Sequence, residues 1–182
     1  MAHDTDMPVR FGPHTVTSHS QVFHTTPLSY AIVNLRPLLP GHTLICPHRV
    51  VPHLSDLTEH EATDLIRTAR RVQRTLKRVY KADAFNVAVQ DGKAAGQSVP
   101  HVHWHVIPRL EGDMDSRGGG DRLYDMLDGE EGDVGAALRA RAAARMKIDA
   151  DRKDRSEEEM RAEAEMLRRE MEKDQNGETE VD

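Results

Sequence analysis

The chain predicts an α+β fold: a mainly antiparallel sheet, one long helix and a helical C-terminal extension. Strand-like apolar runs come first, one 3.6-period segment follows, and strand-like runs then return with no helix between them. That order suits an antiparallel sheet better than parallel βαβ units. A length of 182 residues allows one sizeable core and a polar tail but is short for two domains. Hydrophobic residues make up 37% and charged residues 31%, with the excess charge after Arg109, so residues 10–110 must carry most of the core.

Residues 1–9 are polar and are expected to be disordered. Val22–Phe23 and Ser29–Asn34 read as a hairpin pair with Thr26–Pro27 at the turn. Pro37 and Pro40–Gly41 interrupt the pattern, and His42–Pro47 resumes it as a strand. Thr58 and Glu61 form a capping box, and Ala62, Leu65, Ile66, Ala69, Val72, Leu76 and Val79 follow at helical spacing. This predicts a helix of about six turns ending near Lys81. Phe85–Gln90 returns as a strand, Asp91–Gly92 turns the chain, and Gly96–Gln97 leads into a strand over His101–Arg109. Residues 111–121, rich in glycine and acidic side chains, read as a mobile loop. Residues 122–173 read as a helical extension, in which Arg122–Leu127 regains apolar content and Val134–Ile148 is rich in Ala and Arg. Ser156 and Glu159 form a second capping box. Met160, Ala164, Leu167 and Met171 then make a narrow apolar stripe, a docking face onto the domain. Residues 174–182 read as a disordered acidic tail.

Cys46 is the only cysteine, so no intrachain disulfide can form and a reducing compartment is expected. In its apolar strand it reads as a small buried hydrophobe. The first residues hold no apolar run, which argues against a signal peptide, and no stretch approaches a membrane span. The expected setting is the cytoplasm, with the nucleus also open. Net charge is −6 at pH 7. Arg67, Arg70, Arg71, Arg74, Lys77 and Arg78 cluster on the polar side of the long helix and read as a solvated face, not a nucleic-acid footprint.

The most informative stretch is His101-Val102-His103-Trp104-His105-Val106-Ile107-Pro108-Arg109. In extended chain successive side chains alternate, so the three imidazoles share one face in steps of about 6.5 Å while Val102, Trp104 and Val106 face the core. Three readings compete: a solvated strand face, a metal site, and nucleophilic catalysis at phosphorus. Polar strand faces usually use Thr, Lys or Glu, which weakens the first. No Asp or Glu lies between Asp91 and Glu111 to support metal ligands, which weakens the second.

Ala95-Gly96-Gln97-Ser98-Val99-Pro100 followed by that run resembles the signature of the histidine triad (HIT) nucleotide hydrolases and transferases. Arg10-Phe11-Gly12 with His14, Val33-Asn34, Pro40-Gly41-His42-Thr43-Leu44-Ile45-Cys46-Pro47, Gln90-Asp91-Gly92, Pro108-Arg109 and Arg155-Ser156-Glu157-Glu158-Glu159-Met160 resemble its fragile histidine triad branch, the diadenosine triphosphatases. The resemblance implies a HIT-like fold, a homodimer to which the helix from Thr58 contributes, and hydrolysis of diadenosine triphosphate to AMP and ADP through a nucleotidyl-histidine. A compact partner with several phosphates also suits the acidic net charge better than DNA. The resemblance makes His103 the nucleophile, with His101, His105 and His42 around it. It places His14, Asn34, Gln90, Gly96, Gln97, Ser98, Val99 and His105 at the substrate, and Tyr124 there in the dimer. It implies no tightly bound metal, with magnesium or manganese assisting through the substrate phosphates. A nucleoside phosphoramidase and a slow-turnover nucleotide-binding signalling protein are the alternatives.

Overall fold

The computed structural model describes residues 8–16, 18–130 and 154–177. A small hairpin, β1 (Val9–Phe11) and β2 (His14–Val16), precedes a single turn of helix, α1 (Ser18–Gln21). Strands β3 (Val22–Thr25), β4 (Ser29–Val33) and β5 (Thr43–Pro47) follow, then helix α2 (Glu59–Tyr80), β6 (Ala84–Val89) and β7 (Trp104–Arg109). Helices α3 (Arg122–Glu130) and α4 (Glu157–Gly177) complete the described chain. The main sheet has the order β3-β4-β5-β7-β6 with every neighbouring pair antiparallel, as the sequence of elements predicts.

The long helix begins and ends where its signals lie. Thr58 accepts a hydrogen bond from Glu61 N–H, and the Glu61 carboxylate returns one to Thr58 N–H. Arg49 clamps that carboxylate through Nε and Nη2 at 2.8 and 2.7 Å, and this pairing holds the largely buried Glu61 down to about 2. Lys81 closes the helix in the left-handed region.

The sheet alternation sorts the core. Ala31, Val33, Ile45, Val102 and Val106 face α2 and α4, where Leu65, Val72, Leu76, Met160, Leu167 and Met171 cover them. Tyr30, Ile32, Leu44 and Cys46 point to the other side, beneath the β1–β2 hairpin. Cys46 is fully buried, and burial pushes its thiol above the ordinary range. The stripe on α4 is thus a docking face. Arg71 donates to the Met171 carbonyl and Arg78 to that of Glu170, so part of the arginine row on α2 holds α4 rather than standing free in water.

Several boundaries differ from expectation. Val9, placed in a disordered leader, opens β1 because its side chain packs beneath the hairpin with Val16. Residues 111–121 do bury a group: Met114 inserts among Leu38, Ile107 and Leu123, and Asp113 pairs with Arg109 at 2.7 Å. One apolar residue amid glycines and acids gives no periodicity, so the sequence pattern hides it. Helix α4 runs to Gly177, beyond the expected limit at residue 173. The helical expectation for Val134–Ile148 falls outside the described residues. Among those described, no helix is long and apolar enough to cross a membrane.

The triad segment is also corrected. β7 begins at Trp104, so only His105 lies within it, whereas His101 and His103 lie in the segment before it. The ladder stops because β6 pairs its last residue, Val89, with Trp104, and the last β5 partner is Ile45. Val102 N–H donates to the Val51 carbonyl instead, at 2.7 Å. The alternation survives without the ladder: Val102 and Val106 enter the helix-side core, with Trp104 packed against it.

Candidate active site

Three short segments bring the imidazoles together. His101 and His103 come from the chain entering β7, His105 from β7, and His42 from the turn entering β5; all four are buried. Leu44 on β5 pairs with His105, which sets His42 and His105 beside each other at 5.1 Å between ring centres. His103 and His105 also lie 5.1 Å apart, edge to face. The Phe11 ring meets His101 and His103 edge-on at 5.8 and 5.3 Å. Its hairpin presses close: Gly12 has φ +57°, and a Cβ there would stand 2.6 Å from Val99 Cγ1. Only glycine fits both that backbone and that approach.

Hydrogen bonds fix the tautomers. His103 Nδ1 lies 2.7 Å from the His101 carbonyl oxygen, which can only accept, so Nδ1 carries the proton and Nε2 keeps its lone pair in the neutral ring. Leu38 N–H donates to His42 Nδ1 at 3.1 Å, which leaves the His42 proton on Nε2. That proton is donated to His105 Nδ1 at 2.9 Å, so neutral His105 carries its own on Nε2. The result is a nucleophilic nitrogen on His103 beside a donor on His105. Asn34 N–H donates to the His42 carbonyl at 3.3 Å, and Asn34 Oδ1 accepts from Arg36 N–H at 3.0 Å. His101 is fully buried; burial and the neighbouring His103 hold its imidazole down to about 4, so it is neutral at pH 7.

A cleft of about 210 Å³ opens onto this group. Of the residues expected at the site, Asn34, Ser98, Val99, His103 and His105 line it. His42 and His101 stand behind them as hydrogen-bond partners. Gly96 caps the short turn Lys93–Ala95 in the left-handed region, and Gln97 Nε2 donates to the Pro52 carbonyl at 2.8 Å, so this pair shapes the loop rather than lining the cleft. Gln90 is buried and donates to the Leu127 carbonyl. His14 is exposed on β2, and Tyr124, 57% exposed on α3, accepts from Asn86 Nδ2. Neither lines the cleft of the single chain. Sequence reasoning missed Phe11, Leu35, Arg36 and Leu44 as lining residues. Their one signal was that Phe11 and Leu44 lie within, and Leu35 and Arg36 next to, the motifs at 10–12, 40–47 and 33–34. A larger cleft of about 290 Å³ lies along Arg67, Arg70, Arg71 and Arg74 and contains none of these imidazoles; the histidine on its wall is His24 of β3. Among the described residues, no group of three or more His, Cys, Asp or Glu side chains is placed to hold a metal ion.

A five-stranded antiparallel sheet backed by two helices, presenting a buried imidazole cluster to a cleft beside a glycine-polar loop, defines the class as a histidine-triad protein. The chain belongs to the HIT domain family, matched over residues 16–112. It is 45% identical over 158 residues to the bifunctional bis(5'-adenosyl)-triphosphatase/adenylylsulfatase of Arabidopsis thaliana, covering 87% of this chain and 81% of that one. It is 44% identical over 162 residues to the asymmetrical bis(5'-nucleosyl)-tetraphosphatase of Schizosaccharomyces pombe, covering 82% and 87%. Among solved structures, the Plasmodium falciparum diadenosine triphosphate hydrolase in complex with cyclomarin A superposes with a TM-score of 0.67 at 28% identity, over 91% of this chain and 85% of that one.

Proposed function

We propose that this protein hydrolyses diadenosine triphosphate and related dinucleoside polyphosphates to AMP and ADP through a nucleotidyl-histidine at His103. The observation that carries this reading is the 2.7 Å hydrogen bond from His103 Nδ1–H to the His101 carbonyl, which leaves Nε2 as the reacting atom. In-line attack of Nε2 on the α-phosphorus forms an N–P bond as the bond to the ADP oxygen breaks. The ring becomes cationic as it bonds phosphorus, and that charge falls on an N–H already directed at a carbonyl dipole. His105 Nε2–H, oriented by His42, donates to a non-bridging oxygen. Water then attacks the same phosphorus and releases a proton to solvent as the N–P bond breaks, and AMP leaves with His103 neutral again.

Ser98 and the backbone around Val99 meet the phosphates, and Asn34 meets the ribose. Magnesium or manganese enters with the substrate and neutralises its phosphates. The working form is a cytoplasmic homodimer. The free edge of β6, where Val87 is exposed, and exposed Ile66 on α2 support such an interface. The test is product chromatography after incubation with diadenosine triphosphate, diadenosine tetraphosphate and an adenosine phosphoramidate. AMP and ADP appear from the first at the highest kcat/KM. Preferential cleavage of the phosphoramidate would instead make the protein a phosphoramidase.

A further inference from the structure

The segment leading into the C-terminal helix grips one wall of the cleft. Two adjacent residues, Asp154 and Arg155, meet three adjacent residues, Asn34, Leu35 and Arg36, which line it. Arg155 Nη2 donates to the Asn34 carbonyl at 2.6 Å, and Arg155 N–H donates to the Leu35 carbonyl at 3.1 Å. Arg36 Nε pairs with the Asp154 carboxylate. Arg155 is itself anchored: Nη1 donates to Glu163 Oε2 on α4 at 2.5 Å, and Tyr80 OH at the end of α2 donates to the other oxygen, also at 2.5 Å. The Arg155 and Glu163 side chains are 18% and 14% exposed, so this pair is shielded from solvent screening.

We infer that Arg155 is a positioning residue: its planar fork fixes the Asn34–Arg36 wall and, through the Asn34 N–H that donates to the His42 carbonyl, the His42–His105 pair, so that the entry to α4 sets nucleotide affinity from outside the cleft. A guanidinium suits this task because two of its nitrogens reach, in one rigid plane, a carboxylate and a carbonyl that come from elements far apart in sequence. Without it, the wall keeps the main-chain bond from Arg155 N–H to the Leu35 carbonyl and the exposed Arg36–Asp154 pair, and the Asn34 carbonyl must find water. The inference rests on the proposed reaction for its kinetic readout but has a structural readout of its own.

The experiment compares Arg155→Ala with Met171→Ala, which loosens the far end of α4 without touching the wall, and with Arg155→Lys, which keeps a cation beside Glu163 but lacks the fork. Arg155→Ala raises KM for diadenosine triphosphate about tenfold, the size expected for one lost charge-assisted hydrogen bond, with kcat changed less than about threefold. Amide hydrogen exchange over residues 34–42 speeds up in the same variant. Met171→Ala lowers Tm with KM and exchange at 34–42 unchanged. Arg155→Lys recovers Tm more fully than KM. Equal effects of Arg155→Ala and Met171→Ala on exchange at 34–42 would overturn the inference, as would an unchanged KM. Wild-type protein inactive on diadenosine triphosphate would count against the functional reading alone, because the exchange comparison does not use substrate.

Discussion

At the scale of single residues, the chemistry turns on which nitrogen of each imidazole holds its proton. His103→Asn keeps a polar side chain of similar reach but removes the nucleophile. Its turnover falls by about three orders of magnitude or more while the affinity for diadenosine triphosphate stays within about threefold, read by single-turnover kinetics and calorimetry. His101 makes a different prediction. Its imidazole titrates near 4 in the folded protein against 6.5 in the unfolded chain, chiefly because it is buried. Between those two values the unfolded state takes up a proton that the folded state does not. Stability is therefore complete above pH 6.5 and falls, by about 2–3 kcal/mol from this group, as pH drops to 4. Urea unfolding across that window shows a shallower dependence in His101→Gln. The imidazole cluster was legible because three histidines at alternate positions between apolar residues are chemically conspicuous. Phe11, Leu35 and Leu44 were not, since an apolar side chain lining a cleft has the same sequence signature as one filling a core.

Among the elements, α2 was legible almost to the residue because the Thr58–Glu61 box marks its start and the apolar helical spacing runs unbroken to Val79. Thr58→Ala removes a cap and costs about 1 kcal/mol in urea unfolding with the m-value unchanged. Glu61, held to about 2 mainly by its hydrogen bonds with Arg49, contributes stability that is present above about pH 4.5 and lost as pH falls toward 2. Arg49→Met flattens that acid limb, which a pH series of melting curves will show. The β1–β2 hairpin and the one-turn α1 escaped notice, being three and four residues long, too short for either period to register. The start of β7 escaped for a different reason. Alternation predicts which face a side chain takes, but a strand also needs paired neighbours, and the pairings with β5 and with β6 both stop at Trp104.

For the molecule as a whole, the antiparallel order and the helix-covered face followed from the order of elements, while the path of the C-terminal helix did not. The Met160–Met171 stripe told that α4 docks, but only the folded chain shows it reaching back to Asn34 through Arg155. Assembly belongs to this scale too. The proposed homodimer predicts sedimentation as a dimer at micromolar concentration, shifted toward monomer by a charge placed on the outer β6 edge with Val87→Lys; a wild-type monomer would rule the dimer out. The central claim, covalent catalysis by His103, is tested most directly by the stereochemistry of hydrolysis at an α-phosphorus made chiral with sulfur and an oxygen isotope. Attack by the imidazole and then by water inverts the centre twice, so the mononucleotide emerges with its configuration retained. Net inversion would mean a single displacement by water and would contradict the nucleotidyl-histidine.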